Sequence, residues 1–150
     1  MKEADEVSED KSLHNSAVSL YGQAIEADET FWRARNKLGV QLFENGEIAA
    51  SFDHYLAALH LVPKSHKDIV LSNIAAYYIM TKAYETGIGF ARDALELNPN
   101  NEQALFNLGS AIYNLNGCST DESIAAWERA VKLEPENIHN SFVSAAVSKE

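Results

Sequence analysis

The chain has 150 residues, 46% of them hydrophobic, which is enough for one domain with a substantial core and short for two typical ones. Only three Pro and seven Gly are present, which favours helices over a turn-rich β fold. A formal net charge of −10, from 22 acidic against 12 basic side chains, argues against nucleic acid and against an anionic membrane surface as partners.

In chain order, the opening "MKEADEVSED" carries five acids and one Lys and is expected to be an acidic disordered or frayed terminus over residues 1–11. The marks Ala17, Tyr21 and Ala24-Ile25 follow, then Glu29, on a helix expected over 12–27. Next come Leu38-Gly39, Gly46, Ser51, Tyr55, Ala58-Leu59 and Pro63, predicting helices over 31–44 and 47–61. Thirty-six residues on, Ile74-Ala75, Gly87, Ala91, Ala94-Leu95 and Pro99 repeat the pattern, with Lys82 where Gly46 stood. That predicts helices over 67–81 and 84–97. Leu108-Gly109, Ser123, Trp127, Ala130-Val131 and Pro135 form a third copy, with helices over 101–115 and 120–133. A closing helix is expected over 137–148, with Ala145 in the small-residue slot.

The intervals locate two insertions. Gly39 to Pro63 and Ala75 to Pro99 are both 24 residues, whereas Gly109 to Pro135 is 26, which places two extra residues around "NGCS". Two more lie in "PKSHKD", and removing both leaves a period of 34. Insertions confined to loops are what a stack of helical hairpins tolerates. Each Pro ends a second-type helix, because it cannot continue a helix interior.

The unit with small residues at two crossing points, an aromatic in the second helix and a closing Pro resembles the tetratricopeptide repeat family over about residues 31 to 135. The resemblance implies an all-α fold, a right-handed superhelix (α-solenoid) of helix-turn-helix hairpins. In these terms 12–30 is a half repeat, 31–65, 66–101 and 102–137 are repeats, and 138–149 is a capping helix, all in one domain over 12–150. Arg35, Leu71 and Leu105 replace the family's usual Trp, and Glu29 replaces a Pro.

No catalytic constellation is visible. The five His, at 14, 54, 60, 66 and 139, include no pair three or four residues apart on one helix, so no HExxH-type metal pair exists. Gly87-x-Gly89 lacks a third Gly and a preceding strand. Cys118, the only cysteine, sits in a polar stretch without basic neighbours to activate it, and it suits a reducing compartment. No secretory leader or 18-residue apolar run appears, so a cytoplasmic protein is expected. Neither a cofactor nor a metal is implied.

The resemblance further implies that first-type helices line a concave groove for an extended peptide or helix of another protein. By register the groove set is Arg33, Asn36, Lys37, Val40 and Phe43 on the first such helix. The second contributes Ile69, Asn73, Ala76 and Met80, and the third Gln103, Phe106, Asn107, Ser110 and Tyr113. His139, Phe142 and Val143 would follow on the closing helix. Asn73 and Asn107 are equivalent, and an amide can pair with both groups of a peptide backbone. That pair resembles a short asparagine ladder of the kind found in the repeat superhelix of the nucleocytoplasmic Ser/Thr glycosyltransferase. Chaperone-associated members of the family instead capture a C-terminal carboxylate with cations on the third groove helix. Here Gln103 and Asn107 stand there, and Asn36 and Val40 occupy the first, so a carboxylate would lack most charge-assisted partners.

Arg33, Arg35 and Lys37 suit a partner with a few acids beside an apolar anchor, or else they pair with Glu44, Glu47 and neighbouring acids. The expected function is a non-enzymatic interaction module. The alternative is a spacer or self-association segment of a longer protein, motivated by Leu13, Leu20 and Tyr21 left uncovered on the half repeat, with any enzymatic domain lying elsewhere.

Overall fold

The computed structural model describes residues 2–136, with side chains from Asp10 onward. Among these the chain is all-α: α1 (Lys2–Ala27), α2 (Trp32–Glu44), α3 (Ile48–Leu61), α4 (Lys67–Met80), α5 (Tyr84–Leu97), α6 (Glu102–Asn116) and α7 (Asp121–Leu133). A short 3-10 turn, Lys64–His66, precedes α4 and takes up the two residues inserted in "PKSHKD". Helices α2 to α7 start and stop within one residue of the expected bounds. The closing helix, with His139, Phe142, Val143 and Ala145, lies outside the described residues.

Helix α1 differs from expectation. It begins at Lys2 rather than near Ser12, so residues expected to fray are helical. The physical reason is local: "KEADEVSEDK" has neither Gly nor Pro, and acids in a first turn are favoured by the helix dipole.

The chain divides into two compact units, Met1–Pro63 and Lys64–Glu150. The boundary falls in the connection that carries the inserted residues.

In the first unit, α2 packs against both α1 and α3. Ala34, Leu38 and Leu42 on α2, with Tyr55 and Ala58 on α3, form its buried apolar centre. Gly39 is required by contact: a Cβ there would lie 2.6 Å from the Tyr55 ring and 3.2 Å from the Ser51 carbonyl. The ring therefore occupies the side-chain space that Gly leaves empty, and burial pushes the Tyr55 phenol well above its usual pKa, with the Glu44 carboxylate adding to the effect.

Where the repeat would carry a Pro, Asp28-Glu29-Thr30 turns the chain by another device. Asp28 Oδ1 accepts from the Thr30 hydroxyl at 2.7 Å and the Thr30 N–H at 2.9 Å. These two bonds hold the Asp28 carboxyl below its ordinary pKa. Arg35, at the position of the missing Trp, donates from Nε to the Glu29 carbonyl at 3.2 Å and so ties α2 to this turn.

In the second unit, α4 pairs with α5, α5 with α6 and α6 with α7, and α4 also meets α6. Ala75, Ile88, Ala91, Leu108, Ala111, Ile112 and Ala126 form the core, with Ile79, Phe90 and Leu95 packed on it. The loop between α5 and α6 is held by amides. Asn98 and Asn101 donate to Asp68 Oδ2 at 3.0 and 2.8 Å, which satisfies a carboxylate only 5% exposed. Asn101 Oδ1 also caps α6 by accepting from Ala104 N. Thr120 and Ser123 form a capping box at the start of α7, satisfying donors that a helix N-terminus leaves free.

Candidate protein-docking face

Helical spacing divides α4 into two sides. Val70, Leu71, Ile74 and Ala75 are buried, while Ile69 and Met80 are 39% and 56% exposed, with Asn73 and Ala76 half-buried between them. Helix α6 has the same division. Ala104, Leu105, Leu108, Ala111 and Ile112 face the core, Tyr113 is 42% exposed, and Gln103, Phe106 and Ser110 are half-buried.

Because α4 and α6 meet, these residues form one face of the second unit. It carries exposed apolar side chains among neutral polar ones, and none of the eight is charged. Covering Met80 and Tyr113 would yield roughly 2 kcal/mol each.

Two expected groove amides behave differently. Asn107 is only 4% exposed, and its amide is already paired: Nδ2 donates to the Ser72 carbonyl on α4 at 2.8 Å, and Oδ1 accepts from Gln103 Nε2 at 3.0 Å. It fastens α6 to α4 beneath the face and is not presented to a ligand. Asn36 on α2 is likewise buried, at 5% exposure. The pair Asn73 and Asn107 thus does not form two presented rungs. The same donor and acceptor groups that could meet a peptide backbone meet a neighbouring helix here.

The first unit holds the α2 residues. Arg33 and Lys37 are exposed, and Val40 and Phe43 are half-buried. Arg33 lies over the Trp32 ring, 5.0 Å from its centroid, a contact worth about 0.5–1 kcal/mol when exposed. Glu44 accepts from Gln41, and Glu47 from Asn45.

Sequence reasoning passed over Tyr77. It lies one turn beyond Asn73 and three residues before Met80, is half-buried, and sets its ring edge-on to Tyr78 at 5.2 Å. Tyr78 stacks on Phe90 of α5 at 5.4 Å. The i, i+4 spacing from Asn73 was the available signal.

Among the described residues no group of three or more His, Cys, Asp or Glu is arranged to hold a metal ion, and no helix is long and apolar enough to cross a membrane.

The tetratricopeptide-repeat family model matches residues 12–66. Photosystem I assembly protein Ycf3 of Acaryochloris marina (strain MBIC 11017) is 30% identical over 107 residues, which is 62% of this chain and 64% of that protein. The chain therefore spans less than two thirds of that relative's length. Among solved structures, the first tetratricopeptide domain of Spaghetti (RPAP3) bound to the HSP90 peptide SRMEEVD superposes with TM-score 0.63 at 21% identity, over 78% of this chain and 93% of that one. MamA superposes with TM-score 0.67 at 18% identity, over 93% of this chain and 82% of its own. Likeness at these identities speaks to the fold. Together with the in-phase Gly39 and Gly109 crossings and the matched helix bounds, it gives the chain the all-α, α-solenoid fold of tetratricopeptide-repeat structures.

Proposed function

We propose that the chain is a non-enzymatic interaction module whose α4–α6 face binds a segment of a partner protein, as an extended peptide or a helix. The observation that carries this reading is the exposure of Ile69, Met80 and Tyr113 on helices whose opposite sides are fully buried. Apolar groups that the fold leaves uncovered along one continuous face favour a ligand. The Spaghetti domain, similar in fold, is bound to an HSP90 peptide, which supports the class of ligand but not its chemistry.

On this chain the face is neutral, with Gln103 where a carboxylate-binding member would place a cation. The partner segment is therefore selected by an apolar or aromatic anchor beside amide contacts. Asn73, Ala76, Phe106 and Ser110 line the contact, and Arg33, Lys37, Val40 and Phe43 add a separate set on α2. A cytoplasmic location fits the single exposed thiol, Cys118.

The test compares affinity enrichment by the parent chain and by a Met80→Asp/Tyr113→Asp variant, followed by titration of the best enriched partner segment in isolation. Loss of that segment by at least tenfold, with an unchanged helical CD spectrum, is expected. Equal affinity for both chains would sink the assignment.

A further inference from the structure

We propose that the α4–α6 face receives an amphipathic helix of a partner protein, through an uncharged apolar stripe, in preference to an extended strand; this rests on the docking role proposed above. The two kinds of segment make different demands on a surface. An extended segment brings an unpaired N–H and an unpaired C=O with each residue. Fixed donors and acceptors must meet those groups, because burying them unmet is unfavourable.

On this face the fixed groups are already committed. Asn107 Nδ2 donates to the Ser72 carbonyl at 2.8 Å, and Gln103 Nε2 turns onto Asn107 Oδ1 at 3.0 Å. Asn107 is moreover only 4% exposed, and Asn73 has an interaction partner as well. The row of amides that could have followed a strand is therefore spent on joining α6 to α4. What remains can meet an occasional side chain, not the repeating groups of an extended backbone.

A helix pairs its own backbone groups internally and presents side chains alone. Those are what the face can cover, since its most exposed members, Ile69, Met80 and Tyr113, are apolar or aromatic. Ala76 and Ser110 lie half-buried among them and are small enough for another helix to approach closely. Ile69 and Met80 are eleven residues apart, about 16 Å along α4. That length matches about three turns of a docked helix, with anchors spaced i, i+3, i+4 and i+7.

Charge restricts the stripe further. The chain carries a net charge of −10, yet none of that charge belongs to the residues of this face. A charged side chain pressed against them would lose water without gaining a partner. The contact stripe is therefore uncharged, and affinity at the face should respond little to salt.

The probes are two displayed libraries of synthetic segments about four turns long. One holds a helix-favouring frame and randomises positions i, i+3, i+4 and i+7; the other is randomised around a Pro at every fourth position, which forbids a helix. Each library is selected on the full chain, and the enriched segments are titrated against the parent and against Met80→Asp/Tyr113→Asp. Both side chains are exposed, so the variant should keep the fold, which a CD melt verifies. Met80→Asp alone takes its place if the double variant melts early.

The helical library is expected to yield segments that bind the parent at least tenfold more tightly than the variant and gain helical CD on binding. Their affinity should fall at least tenfold when a Pro enters the middle of the segment on its outer side, and should change less than twofold between low and high salt. Variant-sensitive binders that come only from the Pro-containing library, or that tolerate the central Pro, would overturn the helical occupant and leave the docking face standing. Binders indifferent to the variant would overturn both. An empty helical selection counts against the proposal, as does a concentration-dependent dimer of the chain that the variant abolishes, since the occupant is then a second copy.

Discussion

The α6–α7 and α4–α5 hairpins solve one packing problem in opposite ways. Where α6 crosses α7, Gly109 meets the Trp127 indole, and a Cβ on Gly109 would fall 2.5 Å from Nε1. Where α4 crosses α5, the same two register positions hold Ala75 and Ala91, both fully buried. The close approach has moved one turn along, to Gly87, whose absent Cβ would meet Ile79 at 3.0 Å and the Ala75 carbonyl at 3.3 Å. Crossing positions are thus chosen as pairs of complementary volume, and no single residue is mandatory at either. The α2–α3 hairpin, with Gly39 under Tyr55, follows the first solution.

The comparison can be broken most severely at Trp127. Trp127→Ala should cost about 3–5 kcal/mol, measured as the change in unfolding free energy in urea. Trp127→Phe should cost far less, because Nε1 is buried without a hydrogen-bond partner and removing an unsatisfied donor recovers part of the lost contact. Next in size is Gly109→Ala, at about 1–3 kcal/mol from overpacking. Combined with Trp127→Ala, which rebuilds the Ala–Ala pairing of α4–α5, its penalty should largely vanish. A double-mutant cycle showing simple additivity would contradict the paired-volume account.

A smaller test concerns the turns. Gly46 and Gly117 end first-type helices at φ +86° and +70°, and Lys82 does the same work at φ +64°. A left-handed conformation costs a non-glycine residue about 1–2 kcal/mol, so Lys82→Gly should raise stability by roughly 1 kcal/mol. A thermal melt checks the sign.

The smallest effect is a pH dependence in the first unit. Burial, and then the nearby Arg35 charge, lower the His54 pKa against the opposing pull of Asp53. The folded chain therefore binds fewer protons than the unfolded one just below the ordinary His pKa. Stability falls as pH drops through about 6.5. Urea midpoints at pH 7.5 and 5.5 should show this slope in the parent chain and a flatter one in His54→Gln.

The hairpin bounds were legible because Gly39, Gly109 and the closing Pro residues recur in phase, and close helix crossings leave few alternatives to small residues. Lys82 was legible as a departure, though its left-handed backbone was not, since a turn can be made in several ways. The early start of α1 was hidden because a repeat register marks where a helix should turn, not whether a strongly helical stretch obeys it. Asn107 was misplaced for a chemical reason. An amide one residue from the core edge satisfies a neighbour's carbonyl as readily as a ligand's, and periodicity cannot separate the two. Met80 and Tyr113, by contrast, were nominated by the repeat register, and both are exposed.

The bond from Asn107 to the Ser72 carbonyl has a mechanical consequence. It ties α4 to α6 near the middle of both helices, so a tilt of one against the other would have to break a buried hydrogen bond. If the proposed partner segment binds this face, a contact at Ile69 or Met80 would load the same bond as one at Tyr113. Contact energies measured at Met80 and at Tyr113 would then fail to add, with no shared partner atom between them.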